Sequence, residues 1–267
     1  MDKILSYEQY REQLARARAS GYRSSNCFFL PEAVREKIAA GSLFFLSVEN
    51  GLLLLEEQES FYRCYYFLSP DQTPAPLRLD RPAVIEFPYQ GELNPRQLGQ
   101  LEQIRAMGFR LGRESALMHA DAEELRTLSG GDGQSPAAPA SLSDAAEILR
   151  LFRDCFDPRY SFLPDEEELA AAICDGRVLS IRMDGQLAAA LHSGFEKNQA
   201  SIRQVAAASA FRGRGLGKAI VQAYHEHYRG SARSFQHWVD LHNLPAVSLY
   251  QSFGYTFSLR KANEYIL

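Results

Sequence analysis

The sequence predicts an α+β protein of two domains, each a twisted, mostly antiparallel mixed sheet flanked by helices. Its 267 residues, with 46% hydrophobic content, can bury two ordinary cores. A stretch dominated by Gly, Pro, Ser and Ala interrupts the globular pattern near the middle. Helices followed by hairpin strands recur in the same order on both sides of it. We therefore predict domains at 1–127 and 143–267, joined by a linker at 128–142.

On the N-terminal side, apolar periodicity predicts two helices, at 7–20 and 31–40, each followed by a glycine that suits a helix C-terminus. Strands come next, and the Asn50-Gly51 pair favours a tight hairpin turn between the first two. The predicted strands are 43–48, 52–58 and 62–68. A helix at 96–107 then leads into a last strand.

The C-terminal side repeats this order. Ser143 can cap a first helix, and a second helix follows Pro164 and stops at Gly176. Asp184-Gly185 is a strong hairpin-turn pair. The remaining predicted elements are strands at 177–183, 187–195, 201–207 and 235–241, and a helix at 245–253 that precedes the last strand.

The spacing between the two halves indicates a tandem duplication. Their hairpin turns lie 134 positions apart (184 − 50), whereas the glycines before their last strands lie 146 apart (254 − 108). The second half has therefore gained about a dozen residues, at the position of a glycine-rich loop and its helix. We interpret the first half as a copy that lacks this element.

Composition and charge exclude several classes of function. A net charge of −4, spread without long runs of like charge, leaves no basic face for nucleic acid and no signal for a membrane surface. The N-terminus is polar and no apolar run approaches the ~18 residues of a membrane span, so we expect a cytoplasmic protein. The four cysteines are widely separated, and His225 and His227 diverge on their helix, so no metal or disulfide framework is predicted.

The segment 212–218 carries the clearest chemical signal, because it joins a strand to an amphipathic helix through three glycines. The first N–H groups of a helix lack intrahelical partners, and the helix dipole is positive there. Such a terminus binds phosphate or pyrophosphate, and glycines let the backbone approach closely. Arg212, Arg214 and Lys218 add positive charge.

Two other glycine loops fit less well. A Walker loop needs Ser or Thr after Gly-Lys, whereas Ala219 follows Lys218 here. A dinucleotide-binding loop needs Gly-x-Gly-x-x-Gly, and Gly217 comes one position too early after Gly215. Its strands should also belong to a parallel crossover, whereas those before this loop are joined by hairpins. A nucleotide-dependent oxidoreductase is therefore a minor alternative.

Arg212, Gly215 and Gly217 match the pattern Arg/Gln-x-x-Gly-x-Gly/Ala, which resembles the coenzyme A loop of the GNAT N-acetyltransferase superfamily. A second segment resembles the GNAT motif of Asn, Ala, Leu-Tyr and Gly-aromatic; its residues are Asn243, Ala246, Leu249, Tyr250, Gly254 and Tyr255. The two motifs stand in the family's order. The resemblance covers about 125 residues of the second half, and the first half only by the order of its elements.

The resemblance implies acetyl-CoA as cosubstrate, with the pantetheine arm along the strand before the loop and the pyrophosphate on the loop itself. The implied cofactor-binding residues are Val205, Ala206, Ala207, Arg212, Gly213, Arg214, Gly215, Leu216, Gly217, Lys218 and Asn243. Tyr250 matches the family's usual proton donor to the departing thiolate, although its apolar helix face also fits a packing tyrosine.

The general base is not assigned by this resemblance. Many relatives use a glutamate on the strand before the loop, where this chain has Arg203 and Gln204. By the elements on which they lie, the open candidates are His192, Glu196, Asp240 and His242.

The resulting hypothesis is an N-acetyltransferase that moves an acetyl group from acetyl-CoA to a primary amine, by direct attack in a ternary complex. The acceptor would be a small-molecule amine or a peptide amine; nucleic acid, membrane and metal are not expected as partners. The alternative is an inactive coenzyme A-binding or sensing protein.

The first half is expected to be a degenerate GNAT-like domain that binds no coenzyme. No glycine follows its strand 62–68, three prolines occur within 69–76, and Asp71 would repel an anion. Tyr65, Tyr66 and Phe67 also replace small residues that would leave room for a pantetheine arm.

Overall fold

The chain forms two compact units in a computed structural model that describes residues 1–19, 21, 24–69, 72–125 and 136–267. Unit 1 comprises Met1–Glu114 together with Arg260–Leu267, and unit 2 comprises Ser115–Leu259. This division differs from the predicted domains at 1–127 and 143–267, because both boundaries fall inside strands. Hydrophobic periodicity predicts a strand but not the unit that each part of it joins.

Unit 1 begins with two helices and continues as a sheet of hairpin strands. Its elements are β1 (Asp2–Lys3), α1 (Tyr7–Ala19), β2 (Ser24–Ser25), α2 (Pro31–Ala39), β3 (Leu43–Val48), β4 (Gly51–Glu57), β5 (Tyr62–Leu68), β6 (Ala83–Gln90), α3 (Pro95–Ala106), the start of β7 (Arg110–Asp121) and the end of β13 (Thr256–Ile266). The strand order is β1-β3-β4-β5-β6-β13, with β2 beside β5. All its registered pairs are antiparallel except β5 with β6.

Side-chain alternation in unit 1 sends apolar residues to both faces of the sheet. Leu54 packs in a cluster with Tyr10 and Val34 of the first two helices. Its neighbours Leu53 and Leu55 lie in the opposite cluster, with Leu101 and Ile104 of α3. The unit is therefore a sheet covered by helices on both faces.

Unit 2 holds the glycine loop. Its elements are the end of β7, β8 (Ala137–Pro139), α4 (Ala145–Cys155), α5 (Glu166–Cys174), β9 (Val178–Met183), β10 (Gln186–Glu196), β11 (Gln199–Ala207), α6 (Leu216–His227), β12 (Ser234–Asp240), α7 (Leu244–Ser252) and the start of β13. The strand order is β7-β12-β11-β10-β9-β8. Ala190 and Ala206 pack on α4 and α5, whereas Leu191 packs on α6 and α7.

The predicted linker is only partly tested. Its residues 128–135 lie outside the described residues. The prediction is wrong for Ala137–Pro139, which form strand β8 and pair with β9. Pro139 is tolerated because β8 lies at the edge of the sheet, where a missing N–H donor breaks no ladder. Within the described ranges, no helix is both long enough and apolar enough to cross a membrane.

Candidate functional site

Strands β11 and β12 run side by side for only part of their length. Their parallel ladder covers four pairs, from Gln199↔Ser234 to Ile202↔His237, and stops there. The rest of β11 keeps its antiparallel pairing with β10, up to Ala189↔Ala207. The two strands therefore form a fork, and the edge of β11 from Arg203 to Ala207 faces away from its β10 partner.

A β-bulge lies at the opening of this fork. His192 of β10 pairs with Gln204, and Ser193 pairs with Ile202, so Arg203 is the extra residue of β11. A bulge increases the local twist and bends its strand, which fits the divergence of β11 from β12. It also reverses the alternation, so that Ile202 and Gln204 face opposite sides of the sheet although they are two residues apart.

The glycine loop follows β11 directly, through a 3₁₀ turn at Ser209–Phe211. Gly213 and Gly215 both have φ 76°, a left-handed conformation that favours glycine. A Cβ added at either would meet no atom within 4 Å, so open space lies beside the backbone. Helix α6 begins at Leu216 without a side-chain cap, whereas Asn243 caps α7 and Asp165 caps α5. Its first N–H groups therefore face a loop that can admit an anion.

Positive side chains stand around this loop. Arg212 is exposed, and its guanidinium lies 3.9 Å from the Cys155 sulfur. The Arg214 guanidinium lies 5.3 Å from the centre of the Phe211 ring. At Gly217, α6 faces Leu249 of α7, and a Cβ added there would lie at ordinary contact distance, 3.6 Å, from that side chain. Within the described residues, no group of three or more His, Cys, Asp or Glu side chains could hold a metal ion.

Tyr250 of α7 lies at the fork and is 1% exposed. Its ring centre is 4.4 Å from that of His237, which is the last β12 residue of the parallel ladder. Burial raises the pKa of the Tyr250 phenol well above its ordinary value, so the hydroxyl keeps its proton at neutral pH. The arrangement suits a proton donor beside the fork.

His237 belongs to the same corner and was not predicted from the sequence. Its Nδ1 lies 3.2 Å from the Ile202 carbonyl oxygen, which can only accept, so Nδ1 carries the hydrogen. Burial lowers the pKa of His237 to about 4, and the ring is therefore neutral at pH 7. Only the register of β12 against β11 identifies it, and no local motif does.

Asn243 is placed at the N-terminus of α7, as its motif position implies. Its Oδ1 accepts a hydrogen bond from the Ala246 backbone N–H at 3.2 Å. The side chain is exposed and follows the end of β12. Asn243 therefore has a structural role as a helix cap in addition to the predicted contact with coenzyme.

The four candidates for the general base differ in their exposure and in their position relative to the fork. Glu196 is exposed and pairs with Gln199, at the end of β11 farthest from the loop. Asp240 and His242 bond to one another at the end of β12, with Nδ1–Oδ1 at 3.5 Å and the His242 backbone N–H donating to the carboxylate at 2.8 Å. His192 is 6% exposed and lies opposite the bulge.

Two hydrogen bonds link His192, through Gln204, to the segment between α4 and α5. Its Nδ1 lies 2.9 Å from Oε1 of Gln204. Nε2 of Gln204 donates to the Phe162 carbonyl at 2.8 Å. Gln204 is 4% exposed. No local motif predicts this series of hydrogen bonds, because strand pairing and a loop bring its members together.

Unit 1 contains a fork of the same kind, but its own chain fills it. Strands β5 and β6 pair in parallel only at Tyr62↔Ala83 and Arg63↔Val84. Farther along this edge, the Asn26 amide donates to the Glu86 carbonyl at 2.8 Å and accepts from the Tyr66 N–H at 2.8 Å. Strand β2 then pairs with the last two residues of β5.

The loop after β5 is only partly described, since residues 70–71 lie outside the described residues; the predicted effect of Asp71 therefore stays a prediction. Among the residues described between β5 and β6, no helix corresponds to α6. Tyr66 and Phe67 are each 3% exposed and pack into the two cores of the unit.

In unit 2 an open strand edge leads into a helix N-terminus that has no side-chain cap. This geometry is typical of proteins that bind an extended ligand carrying phosphates. Comparison with models of protein families identifies a family for this part of the chain. Residues 145–255 match the Acetyltransferase (GNAT) family. This part of the chain is a GNAT domain, which confirms the resemblance that the two motifs predicted.

Solved structures agree on the fold. A GCN5-related N-acetyltransferase from Sphaerobacter thermophilus is 13% identical, with a TM-score of 0.56 over 80% of this chain and 76% of that chain. One from Kribbella flavida is 18% identical, with a TM-score of 0.54 over 86% and 91%. A GNAT-family acetyltransferase from Colwellia psychrerythraea is 14% identical, with a TM-score of 0.51 over 100% and 98%. A search of curated protein sequences gave no match.

Proposed function

We propose that this chain is an acetyl-CoA-dependent N-acetyltransferase that acetylates a primary amine of a small molecule or peptide by direct attack in a ternary complex. The observation that carries the proposal is the fork between β11 and β12, which leads directly into the uncapped start of α6. The GNAT family matched at 145–255 supports acetyl transfer as the reaction.

The residues of the fork and loop suit the parts of the cosubstrate. The edge of β11 at Val205 and Ala207 can pair with the amides of a pantetheine arm as a further strand would. Backbone N–H groups at the start of α6 and the cations of the loop can hold the pyrophosphate, at about 1.5–3 kcal/mol for each charge-assisted hydrogen bond. When bound, acetyl-CoA supplies the activated acetyl thioester.

Tyr250 then has a defined task. As the C–S bond breaks, the sulfur gains negative charge, and a phenol that stays protonated can donate to it. The buried ring is held by contacts with His237 and Tyr255, at 4.4 and 5.5 Å between ring centres. The ring therefore packs beside His237, the last β12 residue that pairs with β11.

One observation favours the alternative of a coenzyme A-binding protein without transferase activity. Strand β11 carries Arg203 and Gln204 where many relatives have a glutamate. Transfer would then depend on another base. Consumption of the thioester with a panel of primary amines separates the two functions, because a sensor binds acetyl-CoA without consuming it.

Binding at the loop is tested by Gly215→Glu, which places a carboxylate where the pyrophosphate should bind. At about 100 times Kd, a ligand stabilises its protein by about 2.7 kcal/mol, which a melting curve resolves. We expect acetyl-CoA to stabilise the parent chain and NAD to have no effect. The variant should lose the stabilisation.

Gly185→Glu is the matched control. Gly185 has φ 77°, against 76° for Gly215, and a Cβ at either position meets no atom within 4 Å. Both substitutions therefore add the same charge and similar backbone strain, but Gly185 lies in the β9–β10 hairpin. Stabilisation by acetyl-CoA that survives in Gly215→Glu as fully as in the control would show that the loop is not the binding site.

A further inference from the structure

We infer that His192 is the proton acceptor of the reaction, through its Nε2, and that Gln204 is the residue that positions it. The inference rests on the proposed acetyl transfer and adds the base that the sequence left open. Three observations carry it: a fixed tautomer, a buried nitrogen without a partner, and a position level with the fork.

The tautomer follows from the chain of hydrogen bonds. The Phe162 carbonyl can only accept, so the group of Gln204 that faces it is the NH₂. Oε1 of Gln204 therefore faces His192, and Nδ1 must carry the hydrogen that it donates. In the neutral ring this leaves the lone pair on Nε2.

Nε2 of His192 is buried and has no hydrogen-bond partner. A buried polar atom that is left unsatisfied destabilises the folded state, so it calls for a functional explanation. A proton acceptor that is paired only during the reaction provides one. The same side chain is held firmly at its other nitrogen, which fixes the direction of the lone pair.

The position of His192 complements that of Tyr250. His192 and Gln204 lie on the face of the sheet that packs on α4 and α5, since Ala190 and Ala206 flank them by two positions in each strand. Tyr250 lies in the cluster on the opposite face. Gln204 comes two residues after the last pair of β11 with β12. A thioester in the fork would thus have a proton donor on one face and an acceptor on the other.

Burial, together with two neighbouring arginines, keeps the His192 ring neutral. Burial lowers its pKa most, Arg203 and Arg177 lower it further, and the hydrogen bond to Gln204 and the charge of Glu168 act in the opposite direction. A group whose pKa is lowered below the ordinary value near 6.5 is unprotonated at pH 7 and free to accept.

The proton balance is closed. The free amine attacks the carbonyl carbon, an N–C bond forms, and the nitrogen becomes strongly acidic, so that even a weakly basic imidazole can accept its proton at Nε2. The C–S bond breaks, and the sulfur takes a proton from Tyr250. The proton on His192 leaves to solvent and Tyr250 regains one, so that amine and thioester give amide and thiol with no net change in protons.

The first test is His192→Gln, with His119→Gln as control because His119 is exposed on β7 of the same unit. We expect turnover with a reactive amine to fall by about 10²–10⁴-fold, the range of general acid–base catalysis, with stabilisation by acetyl-CoA unchanged. Turnover within about twofold of the control would overturn this inference but leave the proposed function intact. A parent chain that binds acetyl-CoA but acetylates no amine would overturn the proposed function as well.

The second test does not depend on activity and remains valid if His192→Gln fails to fold. Nitrogen NMR of ¹⁵N-histidine-labelled protein should show His192 as the Nδ1–H tautomer, titrating below 6.5. Gln204→Glu places a carboxylate against Nδ1–H, which raises the pKa of the ring. The acid limb of the turnover profile should then move to higher pH together with the NMR titration. An Nε2–H tautomer in the parent, or a turnover profile that stays in place while the NMR pKa rises, would overturn the inference.

Discussion

Tyr250 shows how one buried side chain can serve both packing and chemistry. It lies among Tyr224, Phe253 and Tyr255 in the core of unit 2, which explains its burial without any function. The same burial raises the pKa of its phenol and keeps it protonated. Packing and proton donation are therefore compatible, and only a change that removes the hydroxyl alone can separate them.

Tyr250→Phe should lower turnover by about 10²–10⁴-fold and leave the affinity for acetyl-CoA intact, because only the proton donor is lost. Tyr224→Phe is the control: Tyr224 is equally buried, and its hydroxyl has no hydrogen-bond partner. Single-turnover rates and calorimetry measure the two effects. If both variants react as fast as the parent, Tyr250 is a packing residue.

Asn243 belongs to the predicted site and also caps helix α7, so its replacement should change stability as well as binding. Replacing an Asn cap by Ala typically costs about 1 kcal/mol. Asn243→Ala should therefore lower the free energy of unfolding by about that amount, whereas Asn243→Asp keeps a capping oxygen and should not. Urea denaturation measures both.

The same pair of variants tests the contact with coenzyme. The cap uses Oδ1, and Asp lacks the amide donor Nδ2. If Asn243 donates to the pantetheine, Asn243→Asp weakens acetyl-CoA binding while the helix stays capped. Unchanged affinity in Asn243→Asp would restrict Asn243 to its structural role.

The elements themselves were largely predictable from local sequence. The bounds of β3 and β5 agree with the predicted 43–48 and 62–68, and Asp184-Gly185 forms the predicted turn with φ 51° and 77°. Strands β6 and β8 were not predicted, because each contains a proline, which usually argues against a strand.

The candidate site was predictable only where it is local. The glycine loop and the α7 motif are contiguous in sequence, and the structure places both beside the fork. The bulge at Arg203 and the link from His192 through Gln204 to Phe162 depend on strand register, which periodicity does not specify. His192 was only one of four open candidates for the general base because its partner, Gln204, lies on another strand.

The molecule as a whole should bind one acetyl-CoA per chain. The fork of unit 2 has a free edge, whereas Asn26 and β2 occupy the corresponding edge in unit 1. This supports the interpretation of the first half as a degenerate copy. Its segment 24–26 bonds to the part of β5 that corresponds in order to the free edge of β11, through β2 and the Asn26 side chain.

Calorimetric titration of the full chain with acetyl-CoA should therefore give a stoichiometry of one. Gly215→Glu should reduce it to zero, because unit 1 has no second site to reveal, and Gly185→Glu should leave it at one. Two equivalent sites in the parent, or one residual site in Gly215→Glu, would contradict the assignment.

Unit 1 is formed by two segments that are far apart in the sequence, which affects how it folds during synthesis. Its segment Arg260–Leu267 pairs with β6 over seven residues and buries Tyr265, yet it follows Glu114 by 146 positions (260 − 114). Domains usually fold in the order in which they leave the ribosome. Here all of unit 2 is synthesised before unit 1 receives its last strand. The half that comes first in the sequence is thus completed last. Until β13 pairs with it, the β6 edge of the nascent chain is exposed and can bind chaperones or other chains.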